Sequence, residues 1–172
     1  MDHRHLRLMN WNAHSIVRKS LELNEFLRNE DIDICALTES HLKSEGKLWL
    51  PDHVPIRLDR TTAAGGGVAL LVRRTLKNYR VLPSFRTTFI EAIGIELETS
   101  LGPLTIIAAY CPRQCSETDG SLAKLKEDLS RLTRRSTKFI IAGNLNARHS
   151  ICCDTKNNKN GTVVADYSRH FP

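Results

Sequence analysis

Short apolar runs bounded by polar or turn residues recur along the chain. They fall at Leu6–Trp11, Ile32–Leu37, Val68–Val72, Ala92–Leu97, Leu104–Tyr110 and Phe139–Ala142. Runs of this length predict β-strands. Between them the period changes to that of a helix. Ile16, Leu23, Phe26 and Leu27 fall on one face of a first predicted helix, with Arg18, Lys19, Glu22, Glu25 and Arg28 on the other. A second helix is predicted from about Asp119 to Arg134, where Leu122, Leu125, Leu129 and Leu132 recur at spacings of three and four. A weaker pattern predicts a third over Gly161–His170.

Strand, helix and strand occupy residues 6–37, helix and strand occupy 119–142, and the middle is rich in strands. The order is that of an α/β domain rather than an all-β one. Gly102-Pro103 punctuates the middle, so the runs ending at Leu97 and starting at Leu104 should form a hairpin. No repeat, low-complexity segment or linker divides the chain, and its 172 residues read as one domain. A chain of this size buries roughly 70% of its unfolded surface, enough for a core without disulfides or a structural metal.

Composition narrows the function classes. No apolar run reaches the roughly 18 to 20 residues of a membrane span, and the start Met-Asp-His-Arg-His has no apolar signal segment. The expectation is a soluble intracellular protein of nucleus or cytoplasm, neither secreted nor membrane-bound. The five cysteines, at 35, 111, 115, 152 and 153, should then be reduced thiols, with Cys35 in the core. His149, Cys152 and Cys153 lack the paired Cys-x2-Cys spacing from which tetrahedral zinc sites are usually built.

The net charge of +6 is unevenly spread. Residues 1–100 hold 14 basic and 13 acidic side chains, and residues 101–172 hold 11 and 6. Arg131, Arg134, Arg135 and Lys138 cluster in the second part. Such a cluster suits a polyanion such as a nucleic-acid backbone, and it equally suits a solvated helix end whose dipole favours cations.

Polar residues close several of the strands. They are Asn10-Trp11-Asn12, Thr38-Glu39-Ser40, Tyr110 and Gly143-Asn144-Leu145-Asn146. Taken singly, each has an ordinary alternative: a turn asparagine, a glutamate entering solvent, a core tyrosine with its hydroxyl at the surface. Together they point to a site, because strand ends on one edge of a sheet converge in space and α/β proteins place functional side chains there.

The segments Leu8-Met9-Asn10-Trp11-Asn12, Ile32 to Glu39, Gly65-Gly66-Gly67-Val68-Ala69, Ile107 to Pro112 and Ala142 to His149 resemble the endonuclease/exonuclease/phosphatase superfamily. Within it, the likeness is to the apurinic-endonuclease-like domain of non-LTR retrotransposons, particularly the jockey-like elements. The resemblance implies an α/β fold of two mixed β-sheets in a sandwich flanked by helices. It also implies a divalent-metal-dependent cut of a phosphodiester bond in DNA, with Mg²⁺, or alternatively Mn²⁺, as cofactor. By position, Glu39 would be the carboxylate ligand of the metal, with Asn12 beside it. Tyr110 would hydrogen-bond the scissile phosphate, and Asn146 would donate to the charge developing on it. Arg148 and the basic helix end with Arg131, Arg134 and Arg135 would hold the flanking backbone. A superfamily phosphatase acting on lipid or small-molecule phosphates would share the metal site, but the basic second part and the retrotransposon-like segments favour nucleic acid.

Two departures from the family pattern follow. The family's Gly-Asp-x-Asn motif carries an aspartate that orients or deprotonates the attacking water, and here that position is Asn144. An amide cannot accept a proton at neutral pH, so the expected cost is roughly 10² to 10⁴ in rate. The family domain also continues into further strands that supply an Asp and an Asp-His pair, whereas this chain ends at Phe171-Pro172. The expectations are a domain incomplete at its C-terminus, marginal stability or self-association through an unpaired sheet edge, and weak or absent turnover. A fragment that keeps the fold and residual nucleic-acid binding is the alternative function.

Overall fold

The computed structural model describes residues 5–61, 65–152 and 154–171. Cys153 of the candidate zinc grouping, the first four residues and Pro172 lie outside this set. Among the described residues, eight strands and three α-helices are arranged around three apolar clusters. The strands β1 (Leu8–Asn12), β2 (Ile34–Thr38), β3 (His53–Leu58) and β4 (Val68–Arg73) form one sheet in the order β1-β2-β4-β3. The second sheet contains β5 (Tyr79–Val81), β6 (Glu91–Thr99), β7 (Gly102–Tyr110) and β8 (Phe139–Asn144), in sequence order. Each sheet is mixed, with β1 parallel to β2 and β7 parallel to β8, while the remaining pairs are antiparallel. The helices are α1 (Ser20–Asn29), α2 (Ser121–Thr133) and α3 (Lys159–Ser168).

Alternation along the strands decides the layers. In β2, Ile34 and Ala36 join Val68, Leu70, Ile95, Ile106 and Ala108 in a cluster between the two sheets. Their neighbours Cys35 and Leu37 turn the other way, to meet Leu23 and Leu27 of α1. Both faces of the strand are covered, which is why it reads as an unbroken apolar run. The second sheet repeats the scheme, with Ile107 and Ala109 packed against Leu125, Leu129 and Leu132 of α2 and Val163 of α3. Each fully buried leucine of α2 contributes roughly 1.5 to 3 kcal/mol. The result is a helix-sheet-sheet-helix sandwich.

Leu97 pairs with Leu104 in the expected hairpin, which turns tightly enough for Gly102 to adopt φ +96°. The first helix differs from its predicted face. It starts at Ser20, so Ile16 reaches the core from the preceding loop, and Phe26 is 48% exposed. Arg18 takes φ +70°, a left-handed backbone that prevents an earlier helical start. The third helix begins two residues before the predicted Gly161, because Asn158 caps it by accepting the Gly161 N–H at 2.7 Å. No strand pairs with the outer edge of β8 among the described residues. That edge meets the Asn10 amide, which donates to the Gly143 carbonyl at 3.2 Å, while the Phe171 ring lies 5.0 Å from that of Phe139. No described helix is long and apolar enough to cross a membrane.

Candidate active site

Parallel pairing aligns strand ends. Asn12 lies opposite Thr38, the residue before Glu39, and Tyr110 lies opposite Asn144. The contact from Asn10 to Gly143 brings the β1 edge of one sheet to the β8 edge of the other. Gly143 makes the approach of β8 to β7 feasible, since a Cβ built there would lie 1.8 Å from the Ala109 carbonyl oxygen. All four strands therefore deliver their closing polar residues to one end of the sandwich.

Beyond that end the chain continues as a backbone zipper. The N–H groups of Ala13, Ser15 and Ile16 donate to the carbonyls of Thr38, Glu39 and Ser40, while Ser40 and His41 donate to Gly67 and Gly66. The zipper holds His14, Glu39 and His41 at positive φ of 42°, 51° and 53°, a region that few side-chain-bearing residues occupy. Glu39 consequently turns its carboxylate into a cluster. Asn12 Nδ2 donates to Oε1 at 2.9 Å, His14 Nδ1 lies 3.2 Å from Oε2, and His41 Nε2 lies 3.8 Å from Oε2.

Electrostatics favour the charged form of Glu39. Burial of a side chain only 16% exposed pushes its pKa up, but hydrogen bonds from Asn12, His14 and Tyr110, together with the charge of His14, outweigh burial and hold it below the usual carboxylate value. Tyr110 moves the other way. Burial, the Glu39 charge and the hydrogen bond to Glu39 raise its phenol to about 12, so it remains a proton donor at neutral pH. Arg60 lies over the Tyr110 ring, 5.6 Å from its centroid, and pairs with Glu91, the residue opposite Tyr110 in β6. Glu91 also accepts the Gly67 N–H at 2.7 Å, which ties the triple-glycine segment to the second sheet.

Asn144 and Asn146 form the other half of the cluster. Asn144 Oδ1 accepts the Asn146 N–H at 2.9 Å, and Asn146 Nδ2 donates to the Cys111 carbonyl at 2.7 Å, which leaves its second amide hydrogen uncommitted. Arg148 follows two residues later with an exposed side chain, its backbone fixed by Asn158 through bonds of 3.0 and 2.9 Å.

The structure brings Asn12, Glu39 and Tyr110 together, with Asn144, Asn146 and Arg148 on the adjoining strand end. It does not bring the basic helix end to them. Arg131 is committed to Glu127, Asp128 and the Arg86 carbonyl, and Arg135 donates to the Pro83 and Ser84 carbonyls over the Phe85 ring. Both side chains thus fasten α2 to the segment between β5 and β6, and Arg134 lies exposed just beyond the helix. His14, His41, Arg60 and Glu91 belong to the cluster but were not among the residues singled out by sequence. Of these, His14 and His41 had a nearby signal, two residues after Asn12 and Glu39 respectively. Among the described residues, His14, Glu39 and His41 are the group spaced to hold a metal ion. His149 instead accepts the Ile151 N–H at 3.2 Å.

A two-sheet sandwich with an anionic glutamate, a protonated tyrosine and asparagine amides at one end defines a site suited to a metal ion and a phosphate. The profile of the Endonuclease/Exonuclease/phosphatase family matches residues 9–151, and the chain belongs to that family. The probable RNA-directed DNA polymerase from transposon X-element of Drosophila melanogaster is 29% identical over 163 residues, covering 94% of this chain and 17% of that protein. The RNA-directed DNA polymerase from mobile element jockey of the same species is 25% identical over 166 residues, covering 96% and 17%. The chain therefore spans about a sixth of the length of these relatives. Among solved structures, the endonuclease domain of TRAS1, a telomere-specific non-LTR retrotransposon, superposes with a TM-score of 0.74 at 15% identity, covering 96% of this chain and 72% of that one. The AP endonuclease LMAP from Leishmania major gives 0.71 at 14% identity, covering 95% and 66%. At these identities the structural matches establish the fold, and in it the chain is similar to the endonuclease domain of a non-LTR retrotransposon.

Proposed function

We propose that this domain cuts phosphodiester bonds of DNA with the help of a divalent cation, Mg²⁺ or Mn²⁺, and that Asn144 makes the cut slow. The observation that carries the reading is the coupled pair of Glu39 and Tyr110, one held anionic and the other held protonated, at the meeting point of four strand ends. The retrotransposon character of the relatives and the endonuclease neighbours support DNA as the substrate.

The residues present fit a hard cation. Glu39 offers the anionic oxygen Oε2, and Asn12 Oδ1, which already accepts the His14 N–H at 3.2 Å, keeps a second lone pair. Such a cation supplies charge neutralisation and a source of nucleophilic water. Tyr110, whose phenolic proton goes to Glu39 in this structure, would turn it to a phosphate oxygen once substrate is bound, and Asn146 donates its free amide hydrogen to the same group as charge develops. Asn144 orients the attacking water through its amide but takes no proton from it. Arg148 holds the backbone beside the cut without reading sequence.

Asn144 also favours a second reading, a domain that binds nucleic acid without turnover. Nicking of supercoiled plasmid, with Mg²⁺ and with EDTA, separates the two. The first reading expects slow, cation-dependent nicking that disappears in Glu39→Ala. Binding in a gel shift with no nicking under any condition supports the second. The open edge of β8, with Ile140 36% exposed, supports association between copies of the chain, expected as a sedimentation coefficient that rises with concentration.

A further inference from the structure

We propose that Arg60 is a substrate-binding residue, whose guanidinium takes a backbone phosphate of DNA on the Tyr110 side of the site. The proposal rests on the reading of this end of the sandwich as a nuclease site and adds a contact to it.

Three arginines, on β3, on β4 and on the loop between them, are buried to a similar degree but employed differently. The side chains of Arg57, Arg60 and Arg73 are 17%, 16% and 14% exposed. Arg57 donates through Nε and Nη2 to Asp59 and through Nη1 and Nη2 to the Gly46 and Lys43 carbonyls. Arg73 donates through Nε, Nη1 and Nη2 to Asp31 and the Ile32 carbonyl. Arg60 spends Nε alone, on Oε1 of Glu91, and neither of its terminal nitrogens finds an acceptor among the described residues. Neither of them is shut away from solvent. The two N–H groups on each terminal nitrogen therefore remain uncommitted. Arg57 and Arg73 turn that edge of the guanidinium to their own chain. Held open, the same edge matches the oxygens of a phosphate, which it takes in two parallel bonds.

The seat of the guanidinium is built by residues already at the site. Glu91 lies opposite Tyr110 in the β6–β7 pairing, and its second oxygen accepts the Gly67 N–H at 2.7 Å. The carboxylate is thus engaged at both oxygens and grips Arg60 by Nε. The guanidinium stands over the Tyr110 ring, with Cζ 5.6 Å from the centroid. Gly66 gives it room, since a Cβ built there would lie 2.2 Å from Cζ and 2.4 Å from Nε. The carbonyl of Gly66 accepts the His41 N–H at 2.9 Å, which joins this seat to the backbone zipper beside Glu39. Arg60 is consequently fixed against the same ring whose hydroxyl bonds to Glu39. A cation positioned in advance loses little freedom when a phosphate arrives.

Anisotropy titrations of a labelled DNA duplex over a series of salt concentrations test the proposal, in EDTA so that no cut occurs. Arg60→Gln is expected to weaken binding about tenfold and to lower the slope of log affinity against log salt by about 1. Arg60→Lys should restore the slope but only part of the affinity, because an ammonium keeps the charge without the planar fork. Arg57→Gln removes an arginine equally buried but already committed, and should leave the slope unchanged. The unaltered protein supplies a measurement independent of refolding: the guanidinium nitrogen resonances of Arg60 should shift on adding the duplex, while those of Arg57 and Arg73 stay in place. An unchanged slope in folded Arg60→Gln, an equal fall in Arg57→Gln, or unshifted Arg60 resonances overturns the proposal. The function reading fails separately. Binding through Arg60 with no nicking under any cation would leave this contact standing and remove the nuclease. Cation-dependent nicking with an unchanged slope in Arg60→Gln would do the reverse.

Discussion

The amide of Asn12 donates to Oε1 of Glu39 at 2.9 Å, from the end of one parallel strand to the residue just past the end of the next. This bond orients the carboxylate, and it is one of the contacts that hold Glu39 anionic despite its burial. Asn12→Ala is therefore expected to raise the Glu39 pKa, measurable by ¹³C NMR of the side-chain carboxyl. The cation concentration needed for half-maximal nicking should rise with it. The sign follows from linkage. A depressed carboxylate stabilises the fold above its unfolded pKa and loses that contribution as pH falls through the folded value, so the variant should show a shallower loss of stability on acidification.

Tyr110 gives a second pH signature, at the alkaline end. Its phenol is raised to about 12, so the folded state keeps the proton after an unfolded chain has begun to release it near pH 10. The contribution is full below pH 10 and declines as pH rises toward 12. Ultraviolet titration should show one of the three tyrosines ionising only near pH 12, and Tyr110→Phe should remove that step. The same variant should lower nicking by about 10- to 100-fold if the hydroxyl donates to the scissile phosphate, a loss of roughly 1.4 to 2.7 kcal/mol of transition-state stabilisation.

Asp128 tests the scaffold behind the site. Fully buried on α2, it accepts the N–H groups of Thr88, Phe89 and Ile90 at 2.7 to 3.1 Å, immediately before Glu91. Asp128→Ala leaves those three donors without their acceptor and should destabilise the domain by about 3 kcal/mol. For a chain of this size that is a fall in Tm of roughly 6 to 12 °C by calorimetry. Asp128→Asn should lose less, since its amide oxygen still accepts.

How much of this was legible in the sequence depended on whether a residue belongs to a pattern. The run Ile34-Cys35-Ala36-Leu37 announces a strand buried on both faces, and Asn12, Glu39, Tyr110 and Asn144 stand out because each ends such a run. Strand β3 was missed: Pro55 interrupts it, and as an edge strand it tolerates the missing N–H. Strand β5 has three residues, too few to establish a period. His14, His41, Arg60 and Glu91 are single polar residues at loop or strand boundaries, and only the pairing of distant strands makes them neighbours. The basic helix end had the reverse fate. Its charges were conspicuous, but Arg131 and Arg135 are occupied by carbonyls and carboxylates of their own chain.

That occupation yields a contrast in DNA binding. Arg148 is exposed beside Asn146 and free to neutralise a phosphate, so Arg148→Ala should weaken binding and reduce the slope of log affinity against log salt by about 1. Arg131→Ala should leave the slope unchanged and lower Tm, because its guanidinium fastens the segment at Arg86 to α2. Equal slope changes in both variants would place the backbone contact elsewhere.

The most direct test of the nuclease reading compares nicking rates of the unaltered chain, Asn144→Asp and Glu39→Ala on supercoiled plasmid, each with a saturating divalent cation. In the proposed reading Asn144 stands where the family carries a water-activating aspartate, and its Oδ1 receives the Asn146 N–H at 2.9 Å, a bond an aspartate oxygen would accept equally well. The account expects Asn144→Asp to nick roughly 10² to 10⁴ times faster than the unaltered chain, and Glu39→Ala not to nick at all. An Asn144→Asp rate equal to that of the unaltered chain, or nicking that survives Glu39→Ala, would contradict it.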